Sequence, residues 1–302
     1  MCYFCSVKNL SNIISPIAAE MQQFEAFFEA SLKSDTEPMD SIMHYVLDTQ
    51  GKRLRPILVL LSAKLFGEVN EQTLRAASFV EMVHNATLLH DDVVDDADQR
   101  RNKASVKAQF GNLSAVLAGD YLLAKAMLLL AQPNDYAILQ EMLSATAAMS
   151  EGELMQNTSS EVPEHAASEA HRRVEGPAFL QAQRSAKGRP KSGCHGVTAL
   201  QTQYLDIITR KTALLMRSCC AAGSLSVNAT PEQVQQIADF GLNFGILFQL
   251  RDDILDGENM EQAEVLLPEY LQKTLDALKV FPESETLKTL QDLTMFCAER
   301  AE

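Results

Sequence analysis

Along this chain apolar residues recur at steps of three and four, the spacing that lines one face of an α-helix. Ile17, Met21, Phe24, Phe28 and Leu32 set the pattern and predict an amphipathic helix near the start. Further helices follow quickly. Gly51 breaks the chain, Pro56 suits a first helical turn, and 57–66 runs as a strongly apolar segment that Gly67 ends. The same periodicity predicts helices over 71–96, 105–130, 137–156, 204–222, 231–256, 263–280 and 285–302. No convincing alternation of period two interrupts them, and glycine is scarce at 13 residues, so the expected fold class is all-α.

One stretch, 157–198, departs from the pattern. It is polar, holds Pro163, Pro177 and Pro190, and carries Arg172, Arg173, Arg184, Lys187, Arg189 and Lys191. A connection this long inside a compact domain is expected to be a flexible insertion, its cations a solvated face. With 302 residues and no tidy linker between two cores, the expectation is a single domain over 1–302.

The formal charge of −14 sets the general field against nucleic acid and against an anionic membrane surface. No unbroken apolar run has the roughly 20 residues of a membrane span, and residues 1–10 lack the form of a signal peptide. The expectation is therefore a cytoplasmic protein without stable membrane insertion. Six cysteines, Cys2, Cys5, Cys194, Cys219, Cys220 and Cys297, are too few and scattered for a disulfide framework, and the Cys2-x-x-Cys5 pair has no partner to complete a zinc site.

Chemistry enters with two acidic clusters of one spelling, Asp91-Asp92-Val93-Val94-Asp95 and Asp252-Asp253-Ile254-Leu255-Asp256, each ending an apolar helical run. On a helix, positions i and i+4 share a face, so each cluster can aim two or three carboxylates at one point. Oxygen-only ligands suit Mg²⁺, which keeps several waters and is completed by substrate phosphates. One such cluster alone reads equally well as a solvated helix end; two beside apolar runs suggest a diphosphate clamped between metals.

Basic groups lie close by. Gly51-Lys52-Arg53-Leu54-Arg55-Pro56 puts three cations in the turn before a helix, whose free N–H groups favour anions. Arg100 and Arg101 follow the first cluster, and guanidinium forks suit phosphate. His84 precedes Asp91 on the same helix and can add a donor. Lys211 and Thr212, after Arg210, open another apolar helix, and Gln249 stands just before the second cluster. Together they outline two anion sites, one dependent on metal and one made of side-chain cations. Such asymmetry fits a reaction in which one diphosphate leaves and the other is held.

As a set, these motifs resemble the trans-isoprenyl diphosphate synthases. The resemblance rests on Leu88-Leu89-His90-Asp91-Asp92-Val93-Val94-Asp95 with Arg100-Arg101, the Gly51 to Pro56 motif, Gly119-Asp120-Tyr121, Glu151-Gly152-Glu153-Leu154, Lys211-Thr212-Ala213, and Phe248-Gln249 before the second cluster. It covers about 13–156 and 200–257. The resemblance implies a helical bundle around a central cavity, a homodimer, and a Mg²⁺-dependent prenyltransferase that condenses isopentenyl diphosphate with an allylic prenyl diphosphate. Asp91, Asp92, Asp95, Asp252, Asp253 and Asp256 would hold the metal directly or through water. Lys52, Arg55, His84 and Arg101 would hold isopentenyl diphosphate. Arg100, Lys211, Thr212 and Gln249 would face the allylic diphosphate. In this family aromatics just before the first aspartate block the growing tail; here those positions are Ala86 and Thr87, which points to a long-chain product rather than a farnesyl or geranylgeranyl one.

Two departures stand beside the resemblance. The stretch 157–198 replaces a shorter connection, and after Asp256 the family's lysine-containing segment is missing, leaving a shortened C-terminal part. The leading reading is an active long-chain synthase; its alternatives are a weakly active or inactive homologue serving as partner subunit of a heteromeric synthase, and a short-chain (farnesyl or geranylgeranyl) diphosphate synthase.

Overall fold

A computed structural model describes residues 9–49, 51–161 and 199–300. Among them the chain is helical apart from turns and one two-residue hairpin, Gln99–Arg100 with Lys103–Ala104, which no alternation in the sequence foretells. In order come α1 (Leu10–Ile13), α2 (Ala18–Leu32), α3 (Glu37–Asp48), α4 (Leu54–Phe66), α5 (Glu71–Val94), α6 (Val106–Phe110), α7 (Asn112–Leu130) and α8 (Tyr136–Glu161). The chain resumes with α9 (Ala199–Ile208), a π turn (Thr209–Ala213), α10 (Leu214–Ser226), α11 (Pro231–Asp256), α12 (Met260–Ala277) and α13 (Glu285–Glu299).

The bundle is built around α4 and α5. Helix α4 is buried from Pro56 to Ala63, as an all-round apolar helix must be. It packs against α5 and α10, while α5 also meets α7 and α10 joins α8 and α11. The two long helices that end in acidic clusters share one local logic at their starts. Asn70 and Thr73 form a capping box on α5, Thr230 and Gln233 form another on α11, and Pro231 takes the first turn of α11. These caps satisfy the free N–H groups, and the apolar faces behind them fix both helices so that their C-termini approach one cavity system.

Several boundaries differ from the sequence expectation. The predicted 105–130 helix is two, because Gly111 sits at φ 88° and turns the chain between α6 and α7. Helix α8 continues to Glu161, past the expected start of the insertion at 157; the remainder of that stretch, with its prolines and cations, lies outside the described residues, as do Cys2, Cys5 and Cys194. Helix α7 is long and apolar enough to cross a membrane by length and composition, a property missed by counting only unbroken apolar runs. Here it is a bundle helix with Ala115, Ala118, Leu122, Ala126 and Leu130 buried, and it carries Asp120 and Lys125.

Candidate active site

The basic motif begins the site. Helix α4 starts at Leu54 with Arg53 as its N-cap, in the left-handed region at φ 52°. Arg53 is buried, paired with Glu81 of α5 at 2.7 Å and Glu25 of α2 at 3.0 Å, and stacked 4.8 Å over Phe28. One of the three expected anion-binding cations therefore holds three helices together. Removing one partner of a buried pair like Arg53–Glu81 costs about 3–5 kcal/mol. Lys52 and Arg55 flank it and line a cavity of about 700 Å³ with His84, Arg101, Glu81, Gln249, Asp252 and Arg300.

In this cation chamber Arg101 donates to the Thr49 carbonyl at 2.9 Å, and a Cβ at Gly51 would stand 2.5 Å from its guanidinium. Burial lowers the Arg55 pKa, and among the described residues the Arg55 Nε has no hydrogen-bond partner. Burial, with the guanidinium groups of Arg55, Arg101, Arg100 and Arg53, pushes the His84 imidazole well below its ordinary 6.5. His84 is thus neutral at pH 7 and offers one N–H rather than a charge.

A second chamber, of about 440 Å³, adjoins the first through Arg55, His84 and Thr212. Asp91 and Asp95 line it together with Thr87, Leu88, Val94, Met149, Glu153, Leu154 and Lys211. Burial, then Glu153, pushes the Asp91 carboxyl up to about 6, with Lys211 pulling the other way. Lys211 pairs with Glu153 at 2.7 Å and donates to Gln156 at 3.0 Å. It lies inside the π turn rather than at a helix start as expected, and two glycines press on that turn. A Cβ at Gly152 of α8 would meet the Lys211 backbone nitrogen at 2.7 Å, and one at Gly245 of α11 would meet the Ala213 Cα at 2.5 Å. A π turn held from both sides places Lys211 and Thr212 toward the cavities.

A third chamber, polar and of about 830 Å³, is lined by Asp253, Asp256, Glu258, Lys211, Tyr204, Gln249 and several amides, including Gln156, Gln203, Asn259 and Gln262. Thr212 donates to Gln249 at 2.7 Å, Gln249 donates to one Asp253 oxygen at 2.7 Å, and the Tyr204 hydroxyl donates to the other at 2.5 Å. Burial, then the bond to Asp253, raises the Tyr204 pKa, so the phenol keeps its proton and remains the donor.

The two acidic clusters obey one rule. The middle carboxylate of each is buried and held by protein donors: Asp92 by Arg100 at 2.7 Å, and Asp253 by Gln249 and Tyr204. The first and last carboxylates face a cavity, Asp91 and Asp95 the apolar chamber, Asp252 the cation chamber and Asp256 the polar one; Asp253 touches the polar chamber as well, and Asp252 is itself paired with Arg300. Among the described residues no three His, Cys, Asp or Glu side chains gather to hold an ion, so the three-carboxylate convergence allowed by the spacing is not formed. The donor set nevertheless fits a hard divalent cation. Asp91 is raised, and so is Asp252, first by burial with Asp256 and Asp253 adding to it and Arg300 opposing. Carboxylates in this state are relieved by a cation that brings its own waters and phosphate oxygens.

Other expected site residues are placed unevenly. Arg100 is spent on Asp92 and lines a small crevice outside these three chambers. Thr87 lines the apolar chamber, whereas Ala86 is fully buried in the core and does not. No sequence motif marks Arg300 or Tyr204 as a site residue. Arg300 stands 48 positions from its partner Asp252 and Tyr204 stands 49 from Asp253, so only the tertiary fold joins them.

Comparisons with known proteins bear on family and fold. The sequence profile of the polyprenyl synthetase family matches residues 36–176 and 189–264. The octaprenyl diphosphate synthase of Haemophilus influenzae is 32% identical over 258 residues, covering 85% of this chain and 67% of that protein. An all-trans-nonaprenyl-diphosphate synthase (geranyl-diphosphate specific) of Rhodobacter capsulatus is 31% identical over 246 residues, covering 81% of this chain and 65% of that protein. The chain thus spans about two thirds of the length of the curated relatives it matches. Among solved structures, the polyprenyl synthase of Caulobacter crescentus CB15 complexed with calcium and isoprenyl diphosphate superposes with a TM-score of 0.78 at 24% identity, over 98% of this chain and 99% of that one. That likeness establishes the shared fold.

Proposed function

The chain belongs to the polyprenyl synthetase family, and on that premise we propose that it joins isopentenyl diphosphate to an allylic prenyl diphosphate, building a long all-trans polyprenyl diphosphate. The observation that carries this reading is the asymmetry of adjoining chambers. One is walled by Lys52, Arg55, Arg101 and Arg300, and the next by Asp91, Asp95 and apolar side chains.

In this reading Lys52, Arg55 and Arg101 bind the diphosphate that stays intact, and His84 donates to it as a neutral imidazole. Lys211, held by Glu153 and Gln156, faces the allylic diphosphate at the junction of the acidic chambers, and Thr212 orients Gln249. Asp91, Asp95, Asp252 and Asp256 would hold Mg²⁺, in part through water, and the ion would supply charge neutralisation on the leaving diphosphate. Asp92 and Asp253 keep the arginine, tyrosine and glutamine around that ion in place. Leu88, Val94, Met149 and Leu154 give the hydrocarbon tail an apolar wall and shield the reacting carbons from water.

Two further parts belong to the proposal. A homodimer is supported by the exposed stripe of Leu113, Val116, Leu117, Met127 and Leu128 along α7. A cytoplasmic location is supported by the free thiols Cys219, Cys220 and Cys297. The second reading, a partner subunit of a heteromeric synthase, is favoured by one observation. Among the described residues that line the polar chamber Lys211 is the one cation, against Asp253, Asp256 and Glu258.

The test is incubation of the purified protein with labelled isopentenyl diphosphate, allylic primers of several lengths, and either Mg²⁺ or EDTA. Mg²⁺-dependent elongation to long chains supports the enzyme; no elongation with any primer rejects it and leaves the partner-subunit reading.

A further inference from the structure

The cation chamber contains a contact that metal binding by the second cluster would have to break. Asp252, the first carboxylate of that cluster, is ion-paired with the Arg300 guanidinium. Arg300 is only 7% exposed, lies 4.1 Å over the Phe248 ring and has its carbonyl gripped by the Arg251 fork at 2.8 and 2.5 Å. One of its terminal nitrogens also donates to the Phe248 carbonyl at 3.3 Å, whereas among the described residues its Nε has no hydrogen-bond partner, and neither has the Nε of Arg55 in the same cavity wall. Glu81, the other acid of that wall, is committed to Arg53. The chamber therefore holds buried guanidinium N–H groups lacking an acceptor and one carboxylate shared with a single arginine. A dianionic diphosphate entering here offers Arg300 stronger acceptors than Asp252 does.

We propose that Arg300 is a positioning residue that restrains Asp252 until an anion enters the cation chamber. A diphosphate that takes the Arg300 guanidinium as a fork, the unused Nε included, draws it from the single Asp252 oxygen it holds and frees Asp252 to join Asp256 in facing a metal. This deepens the functional reading above and rests on it. The diphosphate that stays intact would thereby complete the site that drives off the other one. Ionisation of the allylic substrate would then wait for the acceptor, which limits wasteful hydrolysis. Because linkage is reciprocal, a metal held by Asp252 also strengthens anion binding by freeing Arg300.

Two binding measurements on the full chain, neither needing turnover, test this. Mn²⁺ binding to substrate-free protein is followed by electron paramagnetic resonance, and isopentenyl diphosphate binding in EDTA is followed by calorimetry. Arg300→Gln is expected to bind Mn²⁺ about tenfold more tightly and isopentenyl diphosphate about tenfold more weakly, the scale of one charge-assisted contact. A residue with a merely structural role would weaken both. Mn²⁺ affinity unchanged or weakened in Arg300→Gln overturns the proposal, as does unchanged anion binding. Asp252→Asn tests it without touching Arg300: isopentenyl diphosphate binding in EDTA should tighten about threefold, and unchanged or weaker binding is the contrary result. Should the unaltered protein bind no isopentenyl diphosphate, the functional reading fails, while the Mn²⁺ comparison still decides whether Arg300 restrains Asp252.

Discussion

Ala86 and Thr87 are neighbours in sequence with different surroundings, and the difference governs what each can do. Thr87 lines the apolar chamber, while Ala86 is fully buried among core side chains. Thr87→Phe is expected to shorten the product, read by sizing labelled chains. Ala86→Phe should instead overpack the core at a cost of about 1–3 kcal/mol, seen as a lower melting temperature with chain length unchanged. A shorter product from Ala86→Phe alone would reverse this assignment. His84 gives a pH prediction. Its pKa is held below 6.5 by burial and by Arg55, Arg101, Arg100 and Arg53, so on acidification the unfolded chain takes up a proton that the native state refuses. Stability from this group is complete above about pH 6.5 and is lost as pH falls below it. Proton-detected NMR of the ligand-free protein should find His84 neutral at pH 6.5, and His84→Gln should flatten the acid side of the stability curve; an imidazolium at pH 6.5 would contradict both. Of the site residues, those in compact motifs were legible because each carries a charge or amide beside a helix end. Tyr204 and Arg300 were not, since their partners stand on other helices far along the chain.

At the scale of elements, apolar periodicity found α5 and α11 nearly to the residue because both start at capping boxes and end at charge. It could not see the π turn, which differs from α-helix by one residue in register and carries no periodic signature. Nor could it see that α6 and α7 part at Gly111, since an isolated glycine does not necessarily end a helical pattern. The π turn exists where Gly152 and Gly245 let α8 and α11 approach within backbone contact. In most helix interiors glycine to alanine adds about 1 kcal/mol of stability. Gly152→Ala should do the opposite, because its Cβ would stand 2.7 Å from the Lys211 backbone nitrogen. The expected outcome is a lower melting temperature together with a raised KM for the allylic substrate as Lys211 is displaced; a rise in melting temperature with unchanged KM would show that the contact has room to relax.

For the whole molecule, net charge and function pull in opposite directions. In the proposed function a chain of formal charge −14 takes two polyanionic substrates, and the matching feature is Lys52, Arg55, Arg101 and Arg300 gathered on one cavity wall, with the other anion site left to carboxylates that would hold a metal. The exposed α7 stripe is the matching feature on the outside. Replacing Leu117 and Leu128 together by Asp should convert a dimer to a monomer in light scattering, while an unchanged mass would place any interface elsewhere. The central claim is that one diphosphate departs and the other is held. It is tested most directly by a single turnover with radiophosphorus in one substrate at a time, in Mg²⁺, followed by separation of inorganic diphosphate from prenyl product. Label in the allylic primer should appear as free diphosphate, and label in isopentenyl diphosphate should remain on the elongated chain. Release of the isopentenyl label, or release of neither, would contradict the assignment of the two sites.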